Sequence, residues 1–206
     1  MNSPDLGASA LALRASRLRL LISDVDGVLT DGGVYYSEQG EELKRFSVRD
    51  GMGVERLRAK GIETALLTRE PSAIVARRAE KLRISLVYLG VPDKALFLRR
   101  ILDDAAVTLD QVAYIGDDVN DAGVMDEIAA RGLIGAPADA RPEIRALAHH
   151  KGTVPGGHGA FREFAEWLLG LRDGAEVSCA VDGSCSVHGI PLHVADSAGK
   201  QKEGDA

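Results

Sequence analysis

The chain has 206 residues, of which 45% are hydrophobic and 27% are charged, and these proportions are typical of globular proteins. Its 25 Lys and Arg residues stand against 31 Asp and Glu residues, which gives a net charge of −6. This balance argues against nucleic acid or an anionic membrane as a partner bound through bulk charge. No apolar run approaches the roughly 18 residues of a membrane-spanning helix, so no span is predicted.

Strands and helices are predicted to alternate along most of the chain. In chain order the pattern predicts a strand (18–25), a hairpin with arms 34–36 and 43–48 around a turn at 37–40, a helix (54–59), a strand (63–68), a helix (71–82), a strand (86–89), a helix (94–106), a strand (112–115), a helix, a strand (133–135), and helices over 141–148 and 161–171. This order indicates an α/β fold with a Rossmann-like, doubly wound parallel sheet that helices cover on both faces.

The two ends of the chain differ in composition from the middle. We expect a flexible lead over residues 1–16, one domain over residues 17–172, and a disordered tail over residues 173–206 that is rich in Gly, Ser and Asp. Both cysteines, Cys179 and Cys185, lie in this tail, in a spacing that is not standard for zinc. The domain therefore has no disulfide framework, and no signal sequence is evident, so a cytoplasmic location is predicted.

Polar residues stand where the predicted strands end. Because ligands bind beyond the carboxyl ends of parallel strands, we expect these residues to meet at one edge of the sheet. Clustered carboxylates need a cation, and oxygen ligands beside a lysine favour Mg²⁺ and a phosphate over zinc. The residues are Asp24, Asp26, Thr68, Lys94 and Asp117.

Phosphoryl transfer gives each of these residues a role. Asp24 can attack phosphorus, and Asp26 can protonate the leaving oxygen and later deprotonate water. Asp117 can hold Mg²⁺ together with Asp24, while Thr68 donates to a phosphoryl oxygen and Lys94 offsets negative charge. Each motif alone is also compatible with an ordinary turn or helix start, but their joint occurrence in this order favours the site.

The segments DVDGVLTDG, LLT, Lys94 and GDDVND resemble the four motifs of the haloacid dehalogenase superfamily of phosphatases, over residues 18–172. Residues 26–62, 74–82 and 156–169 resemble its 3-deoxy-D-manno-octulosonate 8-phosphate phosphatase family more closely. The resemblance implies Asp24 as the nucleophile and Asp26 as the acid–base residue. It also implies Mg²⁺ on Asp24, on the Asp26 backbone carbonyl and on Asp117, with Asp121 and Asp118 in support.

The intervals between motifs are too short for a cap domain. Asp24 and Thr68 are 44 positions apart, Thr68 and Lys94 are 26 apart, and domains begin at about 50 residues. The resemblance implies a homotetramer that associates through the hairpins around residues 34–46. Tyr35 and Tyr36 fit such an interface, although cross-strand packing within the hairpin is an equal alternative. The glycines at 156–159 could approach a neighbour's site, or could form a flexible loop.

One departure from the family concerns the substrate. Phosphatases of this family typically have T-G-R after the second strand, where this chain has Thr68, Arg69 and Glu70. A Glu there resembles the branch that acts on nine-carbon sialic-type acid 9-phosphates, although both residues also suit a solvated helix start. Arg49 and Arg162 are candidate contacts to an anionic sugar acid, with surface salt bridges as the alternative.

Two other classes of function fit the sequence less well. A non-catalytic domain, as found linked to acylneuraminate cytidylyltransferases, would usually have lost Asp24 or Asp26, and this chain keeps both. A signalling receiver domain lacks a closing motif like GDDVND. The sequence therefore predicts a Mg²⁺-dependent phosphatase of a small sugar-acid phosphate.

Overall fold

The computed structural model describes residues 6–174. In chain order its elements are α1 (Ala8–Ser16), β1 (Leu20–Ser23), β2 (Tyr35–Ser37), β3 (Gly40–Leu43), α2 (Val48–Ala59), β4 (Glu63–Leu67), α3 (Ala73–Leu82), β5 (Leu86–Tyr88), α4 (Lys94–Ala105), β6 (Val112–Ile115), α5 (Ala122–Ala129), β7 (Leu133–Ala136), α6 (Pro142–Leu147), β8 (His150–Lys151) and α7 (Ala160–Arg172). Short 3₁₀ helices at Leu109–Gln111 and Val119–Asp121 precede β6 and α5.

Six parallel strands form the main sheet in the order β5-β4-β1-β6-β7-β8. The chain moves outward from β1 through β4 and β5, and then returns to the other side of β1 for β6, β7 and β8. Ser23, the last residue of β1, pairs with Leu66 of β4 and with Ile115 of β6, so the three central strands end at one level. This change of direction leaves a crevice at their carboxyl ends, where ligands of such sheets bind.

Alternating side chains of the strands supply two apolar cores. Leu21 and Leu66 face the core that α1, α2, α3 and α7 cover, whereas Leu20 and Ile22 face the core under α4, α5 and α6. All four residues of β1 are buried, as expected for a strand with helices on both faces. The predicted α/β class, with a doubly wound parallel sheet, a hairpin and no cap domain, is confirmed over the described residues.

The hairpin differs from its prediction. Its second arm is Gly40–Leu43, not residues 43–48, because Gly40 adopts a φ of +113° and pairs directly with Ser37. The chain leaves the hairpin after Leu43, and Ser47 caps a helix that begins six residues earlier than predicted by accepting a hydrogen bond from the Arg49 amide. The predicted strand is therefore correct at Leu43 and wrong for residues 44–48.

Two further elements were not predicted. The strand β8 pairs with β7 and adds a sixth strand to the main sheet. Helix α1 occupies residues for which the sequence predicts a flexible lead. Ala15 of this helix is fully buried, and the Arg14 guanidinium donates to the Ala129 and Gly132 carbonyls at 2.7 and 2.8 Å, so capping of the end of α5 explains the difference.

Among residues 6–174, no helix is long and apolar enough to cross a membrane. The predicted tail, with Cys179 and Cys185, lies outside the described residues beyond Gly174.

Candidate active site

The predicted catalytic residues lie where the central strands end. Asp24 directly follows β1, and its amide donates to the Ile115 carbonyl at 3.0 Å, which continues the ladder. Thr68 follows β4, and Asp117 lies two residues beyond β6. Lys94 begins α4, because Asp93 caps that helix by accepting from the Leu96 amide at 3.0 Å. The sheet therefore brings residues that are up to 93 positions apart along the sequence to one edge.

A buried lysine joins two of the aspartates. Lys94 Nζ lies 2.9 Å from Asp24 Oδ2 and 2.6 Å from Asp121 Oδ1, and all three side chains are almost fully buried. The Tyr114 hydroxyl donates to the same Asp121 oxygen at 2.5 Å. The other oxygen, Asp121 Oδ2, accepts from the amides of Asp117 and Asp118. Both oxygens of Asp121 thus have partners within the protein, so this residue holds the 117–118 loop and Lys94 in place.

The cluster carries more negative charge than Lys94 offsets. Burial and the nearby Asp121 carboxylate raise the pKa of Asp24 well above its usual value. Burial and, as the second cause, the charge of Asp121 raise the pKa of Asp117 to about 7. Burial alone would lower the pKa of Lys94, but the charges of Asp24 and Asp121 outweigh it and raise that pKa. The site is therefore arranged to accept a further positive charge.

The donor set fits a divalent cation. Asp24, Asp117 and Asp121 each offer a carboxylate oxygen, and these oxygens lie within 4.8 Å of one another. Asp117 Oδ1 is buried, and no other group of the described residues hydrogen-bonds to it. Oxygen ligands of this kind suit Mg²⁺. Because Asp121 is already engaged, Asp24 and Asp117 are the carboxylates available to hold the ion.

Asp26 has different surroundings from Asp24. Its Oδ1 atom lies 2.5 Å from Lys44 Nζ and accepts from the Thr30 hydroxyl at 3.4 Å. Its Oδ2 atom lies 3.5 Å from Thr68 Oγ1. The Thr68 hydroxyl in turn accepts from the Glu70 amide at 3.1 Å. Asp26, the predicted acid–base residue, therefore lies beside Thr68, the predicted hydrogen-bond donor to the phosphoryl group. The Asp26 side chain is 23% exposed and lies outside the carboxylate cluster.

The glycines at 156–157 pack against residues 27–31 of the same chain. The Gly157 amide donates to the Val28 carbonyl at 2.9 Å. A β-carbon at position 156 would collide with the Gly27 carbonyl, and one at position 157 would collide with the backbone of Asp31. The absence of side chains thus permits a close approach within this chain, and the approach to a neighbour's site stays a prediction.

The side chains of the remaining predicted residues point away from the cluster or lie outside it. Asp118 is exposed and accepts from the Val119 amide at 2.7 Å, so it caps a 3₁₀ turn. Arg69 and Glu70 are exposed and follow Thr68 directly. Arg49 is exposed, and Arg162 pairs with Glu166 at 2.6 Å. Over the described part of the chain, no polar side-chain contact joins these four substrate candidates to the carboxylate cluster.

The sequence analysis missed two residues of the site. Lys44 was placed in a strand arm, yet its side chain is fully buried between Asp26 and Glu41. Tyr114 lies in the predicted strand 112–115 and was not singled out, yet its hydroxyl donates to Asp121. For Lys44 a signal was available, because this lysine directly follows a charged hairpin and stands two residues before the apolar Phe46. Nothing in the local pattern pointed to Tyr114.

Comparisons with known proteins bear on this geometry. No family model matches the chain. The 3-deoxy-D-manno-octulosonate 8-phosphate phosphatase KdsC of Yersinia pestis is 42% identical over 163 residues, which cover 79% of this chain and 86% of that protein. The chain belongs to this phosphatase family. The resemblance seen in the motifs is thereby confirmed.

Solved structures of the family share the fold. The Yersinia pestis phosphatase superposes with a TM-score of 0.74 at 41% identity, over 80% of this chain and 87% of that one. The Moraxella catarrhalis phosphatase was solved in complex with a magnesium ion, a phosphate ion and KDO, and matches with a TM-score of 0.74 at 35% identity over 80% and 92% of the two chains. A member of the family therefore binds the ion that the carboxylates of this chain fit.

Proposed function

We propose that this protein is a Mg²⁺-dependent phosphatase that hydrolyses 3-deoxy-D-manno-octulosonate 8-phosphate through a phosphorylated aspartate. The observation that carries the proposal is the buried group of Asp24, Asp117 and Lys94, with Asp26 and Thr68 beside it at the end of the same sheet. The relatives are octulosonate 8-phosphate phosphatases, and this supports the choice of substrate.

The two aspartates of the DxD motif divide the chemistry. A carboxylate oxygen of Asp24 forms a bond to phosphorus as the ester P–O bond breaks, and Asp26 gives its proton to the departing sugar oxygen. Asp26 then takes a proton from water as the water oxygen bonds to phosphorus. The bond between phosphorus and Asp24 breaks in this second step, which releases inorganic phosphate and regenerates both carboxyl groups.

The neighbouring groups supply electrostatic stabilisation. Lys94, 2.9 Å from Asp24, offsets charge on the nucleophile and on the phosphoryl group. Thr68, whose hydroxyl lies 3.5 Å from Asp26 Oδ2, would donate a hydrogen bond to a phosphoryl oxygen. Magnesium held by Asp24 and Asp117, with the Asp26 backbone carbonyl as the third expected ligand, would offset the charge of the phosphoryl oxygens and of the crowded carboxylates.

A nine-carbon acid 9-phosphate is the second candidate substrate. Glu70, exposed just beyond Thr68, favours it because a carboxylate there suits hydroxyls or an amine, and because a Glu at this position resembles the nine-carbon branch. Arg69, Arg49 and Arg162 are the cations that we propose as contacts to the sugar acid in either case. Both substrates carry a carboxylate at one end and a phosphate at the other, so the chemistry at phosphorus is shared.

The test is phosphate release in the presence of Mg²⁺, with kcat/KM compared between octulosonate 8-phosphate and the nine-carbon 9-phosphates. We expect the octulosonate to be favoured by 100-fold or more, which corresponds to about 2.7 kcal/mol. A preference of that size for the nine-carbon esters would make Glu70 the specificity residue. Failure to hydrolyse either ester with Mg²⁺ bound would contradict the proposal and favour a non-catalytic domain.

We further propose a cytoplasmic homotetramer that associates through the hairpin. Large apolar side chains of the hairpin and of the start of α2 are exposed, at fractions between 48% and 82%: Tyr35, Tyr36, Leu43, Val48 and Met52. Exposed apolar patches of this kind mark interaction sites. Light scattering should give a tetramer for the wild type and smaller species for the double variant Tyr35→Ser/Tyr36→Ser, and a wild-type monomer would contradict this proposal.

A further inference from the structure

Lys44 is a buried cation that the proposed reaction does not use. Its side chain is fully buried, and its Nζ atom lies 2.5 Å from Asp26 Oδ1 and 3.3 Å from Glu41 Oε1. A buried ammonium is retained only where it is paired, because desolvation of the charge is costly. One of its two partners is the acid–base carboxylate itself.

A second contact fixes the lysine from the opposite side. Glu41 Oε2 accepts a hydrogen bond from the Ser72 hydroxyl at 2.5 Å, and Ser72 is the buried residue that caps α3. The hairpin is thus tied to the helix that follows Thr68. A continuous row of polar contacts runs from Ser72 through Glu41 and Lys44 to Asp26.

These polar contacts reach Asp26 at one of its two carboxylate oxygens. Its Oδ1 atom contacts both Lys44 and Thr30, whereas among residues 6–174 the Oδ2 atom has only the Thr68 hydroxyl, at 3.5 Å. Asp26 lies three residues beyond the end of β1, in a turn where no sheet pairing orients it. Its side-chain direction therefore depends on these contacts, and proton transfer is sensitive to such placement.

We propose that Lys44 is a positioning residue, which holds Asp26 Oδ1 so that Oδ2 faces the reacting phosphate and exchanges the proton with the leaving oxygen. This inference deepens the proposed function and rests on it. In the first step Oδ2–H loses its proton to the sugar oxygen while the P–O ester bond breaks and the bond from Asp24 to phosphorus forms. Lys44 makes and breaks no covalent bond.

The test exploits the leaving group. An alkyl phosphate such as the octulosonate ester needs a proton on the departing oxygen, whereas p-nitrophenyl phosphate releases a stable phenolate and needs little acid assistance. The parameter kcat/KM is suitable because it covers the steps up to departure of the leaving group. A group that only maintained the fold would affect the two substrates alike.

We expect Lys44→Met, which keeps the length of the side chain and removes the charge, to lower kcat/KM for the sugar-acid phosphate about 100-fold. For p-nitrophenyl phosphate the loss should stay within about fivefold. Lys44→Arg should recover part of the loss. Glu41→Gln, which keeps a hydrogen-bond acceptor for Ser72, should show a smaller loss with the same dependence on the leaving group, and it tests the row of contacts even if Lys44→Met fails to fold.

Lys60→Met is the matched control. Its ammonium pairs with Asp173 at 2.7 Å on the surface, with both side chains about half exposed, so this variant should behave as wild type on both substrates. Equal losses on the two substrates for the Lys44 variants, or no loss on either, would overturn the inference. Equal losses would mean that Lys44 either acts on the phosphoryl group or only maintains the fold. If the wild type leaves both sugar-acid phosphates intact, the proposed function fails, and the variants are then compared on another alkyl phosphate that it hydrolyses.

Discussion

Gly27 and Asp117 come into such close contact that position 27 has no room for a side chain. A β-carbon built on Gly27 would collide with Asp117 Oδ2, and the glycine also adopts a φ of +86°. Asp117 is one of the two carboxylates available to hold the metal ion. The loop that follows Asp24 and the loop that carries Asp117 therefore pack closely against each other because position 27 is a glycine.

Gly27→Ala should displace the Asp117 carboxylate and weaken Mg²⁺ binding. We expect the Mg²⁺ concentration for half-maximal activity to rise at least tenfold and kcat at saturating Mg²⁺ to fall. Gly61→Ala is the matched control, because Gly61 also has a positive φ, +73°, but no atom lies within 4 Å of its built β-carbon. Equal Mg²⁺ dependence in the two variants would mean that backbone strain, and not the contact with Asp117, is responsible.

Asp24→Asn should remove turnover and leave the fold intact. The amide cannot attack phosphorus, so we expect kcat to fall by at least about 1,000-fold. Without Mg²⁺ the variant should unfold at an equal or higher temperature than wild type, because burial and neighbouring carboxylates already raise the pKa of Asp24 and ionisation there costs stability. The control is Asp126→Asn on the exposed face of α5. Activity within tenfold of wild type would refute the assignment of the nucleophile.

Asp50 should make stability depend on pH. Its side chain is buried, its Oδ1 atom accepts from the Arg162 amide at 2.9 Å, and its Oδ2 atom has no partner among the described residues. Burial raises the pKa of Asp50 from 3.8 to about 6, against the opposing effects of the Arg162 and Gly159 amides and of Arg78. The stabilising contribution of the protonated form is thus fully present below about pH 3.8 and is lost as the pH rises through about 6.

Asp50→Asn should therefore stabilise the protein at neutral pH, by up to about 3 kcal/mol. Thermal unfolding should show a higher Tm than wild type at pH 7.5 and convergence of the two near pH 4. Asp103→Asn, which removes an exposed partner of Arg99, should change Tm little at either pH. A lower Tm for Asp50→Asn at pH 7.5 would show that the ionised carboxylate stabilises the start of α7 by more than its burial costs.

Truncation after Gly174 should leave catalysis nearly unchanged. The residues that we propose for the chemistry lie between Asp24 and Asp117, and Arg172 of the last helix donates to the Leu18 carbonyl at 3.3 Å, so the truncated chain keeps these contacts. We expect kcat/KM within about threefold of wild type and an unchanged elution volume, measured by phosphate release and gel filtration. Loss of either would assign a function to residues 175–206.

The sequence by itself determined the order of the fold and most of the chemistry. The central strands β1, β4 and β6 are short apolar runs that lead into Asp24, Thr68 and Asp117. This local pattern, with Lys94 following the next strand, predicted that these residues meet at one edge. Strand ends are encoded locally, and parallel strands bring them together whatever the lengths of the connections.

Tertiary structure alone decided which of these groups touch and what holds them. Lys44 was predicted in a strand arm, but its ammonium crosses to Asp26, 18 residues away along the chain. Asp50 was not singled out, although it accepts from the Arg162 amide 112 residues away. Such contacts depend on how the helices and the hairpin pack around the sheet. The periodicity of apolar residues predicts helices and strands, but it does not predict which polar atoms form contacts between residues far apart in the sequence.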